Sequence, residues 1–336
     1  MMYPDYSIEI KSNNIYLKFS PDFNKQIPND LPNSITHLTF GYMFNQPLCN
    51  LPNSITHLTF GESFNQSIDN LPNSITHLTF GESFNQSIDN LPNSITHLTF
   101  GERFNQPLNN LPEYIKQLTL GDYFDQPLLS NLPNSITHLT FGYMFNKTLP
   151  ENLPNKITHL TLGYKFNQLL CNNLPNSITH LTFGECFNQP LPENLPESIK
   201  YLTFGPSFNQ PLPSNLPNSL THIEFGEYFN QSVDNLPQSI THLKFSVNFN
   251  QSVDNLPNTI IQLKFSWGFT HSLDILFIRM ASINNFTVIK KYVKSKKIGI
   301  AKYIIENEYK WNTSLTELIK NKGDFKALEI YQKYGL

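Results

Sequence analysis

The stretch LPNSITHLTFGESFNQSIDN, residues 51–70, is followed by the same twenty letters at residues 71–90. Leu-Pro pairs that open such units begin at residues 31, 51, 71, 91, 111, 132, 153, 174, 195, 216, 236 and 256. The spacing is 20 or 21 residues, and an earlier half-unit, IYLKFSPDFN at 15–24, matches THLTFGYMFN at 36–45. So regular a period is typical of a solenoid, in which each coil packs on the next.

The apolar residues of one unit predict a short strand. Leu38 and Phe40 are two residues apart and share one face, so His37 and Thr39 point the other way. A unit is too short for a strand plus a full helix, and its Leu-Pro pair disfavours a helix. We expect Gly41 to allow the turn that ends the strand.

Stacked units predict a β-rich solenoid of about 13 short parallel strands, roughly 4.8 Å apart. Phe44 and its equivalents would form a buried aromatic column. Asn45 and its equivalents would hydrogen-bond backbone groups of the neighbouring coils. We divide the chain into an N-terminal strand or half-repeat cap (1–30), a repeat array (31–270) and a helical C-terminal region (271–336).

The motif FGxxFNQPL followed by LPxSI resembles the FNIP repeat, a leucine-rich-repeat variant abundant in social amoebae and giant amoeba-infecting viruses. The resemblance covers about residues 15–270. It implies a right-handed, leucine-rich-repeat-like coil whose outward strand residues form a concave binding face. Members of the family often carry an F-box before the repeats, which implies a substrate adaptor of a ubiquitin ligase. The segment before Ile15 is too short for that helical domain.

Two outward columns, one of His and one of Thr, form the candidate binding surface. The candidate concave-face residues are His37, Thr39, His57, Thr59, His77, Thr79, His97, Thr99, Gln117, His138, His159, His180, Tyr201, His222, Glu224, His242, Lys244, Gln262 and Lys264. Those that interrupt the columns are candidates for specificity: Gln117, Tyr201, Glu224, Lys244, Gln262 and Lys264. The alternative is a solvated face whose threonines simply favour strands.

The nine aligned histidines allow two chemical interpretations. Zinc needs about four converging ligands, and a flat ladder offers one parallel imidazole per strand, so we expect no metal site. Stacked imidazoles would repel each other once protonated, so the ladder should resist protonation and loosen in acid. Ordinary pKa values without acid-linked loss of stability would refute this second hypothesis.

The charge of the chain is uneven. The formal net charge is −3, with −9 in residues 1–270 and +6 in residues 271–336. An acidic column would either steer a basic partner or keep the solenoid soluble. Its members are Glu62, Glu82, Glu102, Asp122, Glu185 and Glu227.

The C-terminal region has helical spacing and is expected to cover the open end of the solenoid, because an uncovered end exposes core and an unpaired edge. It also carries a candidate basic patch: Lys290, Lys291, Lys294, Lys296 and Lys297. This patch would contact nucleic acid, anionic lipid or an acidic protein face, or it is only a solvated helix face.

The sequence predicts a non-enzymatic scaffold that binds a protein of unknown identity through the concave strand face. We find no GxGxxG, phosphate-binding loop, HExxH or GxSxG, and we expect no cofactor, small-molecule substrate, membrane association or nucleic acid. A ubiquitin-ligase adaptor and a purely structural, neutrally expanded array are the alternatives. Three cysteines without a pattern and an N-terminus without an apolar run predict an intracellular protein, in the cytoplasm of the producing cell or its host.

Overall fold

The computed structural model describes residues 5–29, 31–128, 132–170, 172–266 and 269–270. The chain divides into two compact units, Met1–Ile178 and Thr179–Leu336. Within the described residues there are 14 strands and no helix. The predicted helical region 271–336, with its basic patch, lies outside the described residues.

The first unit contains a hairpin and seven further strands of three residues each. The strands are β1 (Tyr6–Lys11), β2 (Asn14–Phe19), β3 (His37–Thr39), β4 (His57–Thr59), β5 (His77–Thr79), β6 (His97–Thr99), β7 (Gln117–Thr119), β8 (His138–Thr140) and β9 (His159–Thr161). From β2 to β9 each strand pairs in parallel with the next in sequence order. The register is set by the repeat, since Leu38 faces Leu58 and Leu58 faces Leu78.

The second unit continues the pattern with five strands. They are β10 (His180–Thr182), β11 (Tyr201–Thr203), β12 (His222–Glu224), β13 (His242–Lys244) and β14 (Gln262–Lys264). Each again pairs in parallel with its successor. Each unit is therefore a β-solenoid with one strand per turn, as the sequence period predicted.

The repeat pattern predicted β2 but not β1, which pairs with it to form an N-terminal hairpin. β1 pairs with β2 in antiparallel register, from Tyr6 opposite Phe19 to Lys11 opposite Asn14. The two turn residues are left-handed, with φ of 46° at Ser12 and 68° at Asn13. Two-residue hairpins favour this backbone because it matches the twist of the strands.

The core consists of stacked columns of identical side chains. Phe40 lies 4.0 Å from Phe44 by ring centroids, and Phe44 stacks at 6.0 Å on Phe64 of the next turn. Phe44 and Phe64 have no exposed surface. Each such ring contributes about 1.5–3 kcal/mol by its burial. The predicted aromatic column is confirmed.

Glycine after each strand is needed for close approach between turns. A Cβ at Gly61 would lie 2.0 Å from the carbonyl oxygen of Gly41, and one at Gly226 would lie 1.9 Å from that of Gly205. The turn predicted after Gly41 is present, but no left-handed φ is found at these glycines, so they serve the turn by leaving space and not by their backbone conformation. Backbone contact between successive turns leaves no room for a side chain.

Position 246 shows what happens where the glycine is replaced. Ser246 stands there, and the Asn248 N–H to Glu227 carbonyl hydrogen bond lengthens to 3.3 Å. The same bond one turn earlier, from the Tyr228 N–H to the Pro206 carbonyl, measures 2.9 Å. The added side chain therefore coincides with a looser contact between turns.

A ladder of asparagines joins successive turns, as predicted. The Asn45 Oδ1 accepts hydrogen bonds from the Asn65 N–H at 2.9 Å and from the Gln66 Nε2 at 3.0 Å. The glutamine of FNQ is a partner that the sequence analysis did not identify. Where the ladder residue becomes Asp125, the next glutamine position becomes Lys147, and the two form an ion pair at 2.8 Å.

Candidate protein-interaction face

Each three-residue strand buries its central side chain and turns the outer two to the opposite side. Leu58 is 1% exposed, whereas the flanking His57 and Thr59 are half-buried. We call the two outward columns, which begin at His37 and Thr39, the strand face. The outward orientation of the candidate residues agrees with the sequence pattern, and their role in binding stays a prediction.

The histidines of the strand face stack on one another, and we call this the histidine ladder. In the first unit the rings of His37, His57, His77 and His97 follow at centroid distances of 4.1 Å. A second stack joins His138 to His159 at 4.2 Å. Rings this close and nearly parallel cover one another's faces and present a continuous row of ring edges.

Two tyrosines take part in this ladder. Tyr201 lies between His180 at 4.2 Å and His222 at 4.4 Å, so it continues the stack that we expected it to break. Tyr16 of β2 stacks on His37 at 4.2 Å and was missed, because the half-unit carries no histidine. The position therefore accepts planar rings other than imidazole.

A threonine immediately before each ladder histidine holds the imidazole in place. The Thr56 Oγ1 lies 2.9 Å from His57 Nδ1 and 3.2 Å from the carbonyl oxygen of Thr36. Because the single hydroxyl proton is donated to the Thr36 carbonyl oxygen, the Thr56 Oγ1 can accept a hydrogen bond from the His57 Nδ1–H. Nδ1 of His57 is thus committed to the chain itself.

The sequence contains the signal for this contact. All nine ladder histidines follow a threonine, and the three units without histidine read Lys116-Gln117, Lys200-Tyr201 and Ile261-Gln262. Thr and His are therefore replaced together. From the sequence we assigned a role only to the threonine that follows each histidine by two positions, and we missed the threonine directly before it.

Five histidines of the ladder have a pKa below the ordinary value. Burial, followed by the charges of His57 and His97, lowers the pKa of His77 to about 4. Burial also lowers the pKa of His37, His57, His97 and His222, with neighbouring cationic groups as the second cause. For these five histidines the predicted resistance to protonation is confirmed in direction.

In the second unit the strand face also carries charges and a groove. Where most strands end in threonine, β12, β13 and β14 end in Glu224, Lys244 and Lys264. The Lys244 ammonium forms an ion pair with Glu224. The groove has a volume of about 220 Å³, and it is lined by Tyr201, Leu202, Thr203, His222, Ile223, Glu224, His242, Leu243, Lys244, Gln262 and Lys264.

The predicted acidic column lies away from the strands. Each member follows the glycine position that comes after a strand, and Glu82 pairs with Arg103 at 3.3 Å. Among the described residues no group of three His, Cys, Asp or Glu side chains is placed to hold a metal ion. Nor does any helix long and apolar enough for a membrane span occur in this part of the chain.

The repeated three-residue strand, the stacked turns and the buried phenylalanine columns define a leucine-rich-repeat-like solenoid. The family model for the FNIP repeat matches ten overlapping segments that together run from residue 12 to residue 268. The matched segments are 12–43, 23–63, 44–83, 64–103, 84–110, 104–144, 145–186, 187–228, 208–246 and 229–268. The chain belongs to the FNIP repeat family.

Two solved structures are similar to this chain. One is CroV588, a giant-virus protein described as a circular leucine-rich-repeat protein, with 49% identity and a TM-score of 0.69. The alignment covers 76% of this chain and 44% of CroV588, so this chain corresponds to less than half of that protein. The other is YopM from Yersinia enterocolitica WA-314, at 16% identity, a TM-score of 0.40 and coverage of 70% and 56%. No curated protein sequence matches the chain at a significant level.

Proposed function

We propose that the chain is a non-catalytic interaction scaffold that binds a protein through the strand face, at β11–β14. Leucine-rich-repeat-like solenoids are typical protein-interaction folds and are typically non-catalytic. The observation that carries the proposal is the groove on β11–β14, because five of the six outward residues that depart from the His and Thr pattern line it. A recognition surface needs such non-uniform residues, and a surface that only stacks on itself does not.

In β11–β13 the buried central residues and the outward residues have different roles. Leu202, Ile223 and Leu243, the central residues of β11–β13, are at most 3% exposed. Their neighbours on the face change from Thr203 to Glu224 and Lys244 without any change in strand register. The interior therefore fixes the fold while the face is open to substitution.

Site-specific photo-crosslinking tests the proposal. A benzophenone amino acid replaces Tyr201 on the strand face or Tyr228 in the turn region, and each variant is irradiated in the producing cells. Tyr228 is the matched control because it is an exposed tyrosine of the same unit, at 53% exposure. We expect a discrete crosslinked protein from position 201 and none from position 228.

A crosslink that forms only at position 228, or equally at both positions, would contradict binding through the strand face. Thermal unfolding of both variants serves as the folding control. We also propose that the partner is intracellular. The cellular location of the crosslinked protein tests this statement.

A purely structural array is the second candidate, and one observation favours it in the first unit. There the histidine ladder is satisfied by its own neighbours, through ring stacking at 4.1 Å and the Thr–His contacts. Such a face needs no partner to be stable. The ubiquitin-ligase adaptor rests on the family resemblance, and no feature of the described residues favours it over the scaffold.

A further inference from the structure

The charges of the second unit are segregated. Its described residues contain seven carboxylates and three lysines, so this part of the chain is acidic. The lysines lie on or beside the strand face: Lys244 and Lys264 end β13 and β14, and Lys200 immediately precedes β11. Of the carboxylates only Glu224 belongs to a strand. The strand face is therefore a positive surface on an acidic body.

Most of this positive charge is not neutralised. Glu224 forms its ion pair with Lys244. No carboxylate among the described residues lies within ion-pair distance of Lys264 or Lys200, and both side chains are exposed. Unpaired cations at the edge of a groove attract an anionic partner and raise its rate of association.

The same groove has an aromatic side. Tyr201, His222 and His242 stack at 4.4 Å and 4.1 Å, so the edges of these rings form a strip parallel to the charged row, which consists of Glu224, Lys244 and Lys264. Tyr201 is 36% exposed, the most accessible ring of this strip. A row of amphipathic ring edges beside cations suits a segment that alternates acidic with aromatic or apolar side chains.

Backbone pairing is excluded in the middle of this site. β11, β12 and β13 are each paired on both edges, so their N–H and C=O groups are used within the sheet. A partner therefore cannot add a strand here and must be recognised by side chains. Charge and ring contacts are then the available sources of specificity.

We propose that the strand face of β11–β14 binds an extended acidic segment of a protein partner, with its carboxylates opposite Lys244 and Lys264 and its apolar side chains on the ring of Tyr201. This inference rests on the proposed function and specifies the partner's chemistry. Three strand-to-strand steps from Thr203 to Lys264 span roughly 14 Å. About four residues of extended chain cover that distance.

Fluorescence anisotropy tests this with the full chain and a fluorescein-labelled peptide of alternating glutamate and tyrosine at neutral pH. Peptides in which lysine or serine replaces glutamate are the matched probes. We expect the glutamate peptide to bind most tightly, the lysine peptide least, and added salt to weaken the glutamate peptide. Equal affinity for the three peptides would overturn the proposal.

Substitutions on the strand face test where the glutamate peptide binds. The double variant Lys244→Gln with Lys264→Gln should weaken the glutamate peptide roughly three- to tenfold. Glu224→Gln should strengthen it about twofold, because it removes a repelling carboxylate and releases Lys244. The control pair Lys156→Gln with Lys165→Gln removes the same charge from exposed sites off the strand face and should change nothing. An equal loss in both double variants would show attraction without a site and would overturn the proposal.

This outcome is separable from the crosslinking experiment. If position 201 captures a protein but the glutamate peptide does not bind preferentially, the scaffold stands and the acidic segment is refuted. If the peptide shows the predicted order and variant effects while position 201 captures nothing, the acidic site stands and the cellular scaffold role fails.

Discussion

The identical cassettes of the first unit and the varied strands of the second unit share one interior and differ in their outward face. In β4 and β5 the strand face reads His57-Thr59 and His77-Thr79. In β11 to β13 it reads Tyr201-Thr203, His222-Glu224 and His242-Lys244. Central residues are buried in both regions. Packing therefore constrains the inward positions, and the outward ones are free to acquire a function.

The first way to challenge this comparison is to damage the interior of each region. Phe84→Ala and Phe229→Ala each remove a ring with no exposed surface. Each should lower the free energy of unfolding by about 3–5 kcal/mol, measured by chemical denaturation. The exposed control Tyr228→Ala should cost less than about 0.5 kcal/mol. If one region tolerated its Phe→Ala change, the interiors would not be equivalent.

A second test uses the close approach of turns. A Cβ at Gly81 would lie 2.2 Å from the Gly61 carbonyl oxygen. Gly81→Ala should therefore cost about 2 kcal/mol or more in unfolding free energy, because backbone must shift. Ser246→Gly, where the turns are already looser, should change it by less than about 1 kcal/mol. A tolerated Gly81→Ala would show that the approach is not a constraint.

A third test addresses the histidine ladder of the first unit. The pKa of His77 falls from its ordinary value of 6.5 to about 4 on folding. The unfolded chain therefore takes up protons first as the pH falls. The ladder's stabilisation is complete above about pH 6.5 and is lost as the pH falls towards 4.

Thermal unfolding across this pH range measures the effect. His77→Gln, which copies the natural residue at position 117, should reduce the loss of melting temperature on acidification. The conservative control Ser83→Ala should leave the pH dependence unchanged. A melting temperature equally independent of pH in wild type and His77→Gln would refute the role of the ladder.

The smallest effect on stability is expected at the charged row. Lys244→Glu with Lys264→Glu removes one exposed ion pair and should change the unfolding free energy by less than about 1 kcal/mol. The same variant should abolish preferential binding of the glutamate peptide. A large loss of stability would mean that these side chains hold the fold, and the distinction between the two regions would fail.

The regular part of the fold could be predicted from the sequence because its period fixes register. The spacing of Leu38 and Phe40 gave the strand, and the outward position of His37 followed from it. Asn45 and its equivalents were correctly assigned to a ladder between turns. These features depend only on the packing of each turn against a neighbouring turn with the same sequence pattern.

Other features depended on information that the repeat does not contain. The pairing of β1 follows from the left-handed turn at Ser12 and Asn13, which occurs once. The reason for Gly61 is a distance between turns, and the stacking of Tyr201 is a matter of ring shape. At the candidate site, the outward columns could be predicted from the sequence, whereas the groove and the separation of lysines from carboxylates could not.

The most direct measurement of the central claim compares crosslinking from the two strand faces. The benzophenone amino acid is placed at Gln117 in the first unit or at Tyr201 in the second, since both are exposed and both lack the Thr–His contact. We predict a discrete partner crosslinked from position 201 and none from position 117. A partner captured from position 117 alone would contradict it, because the uniform face would then be the one that binds.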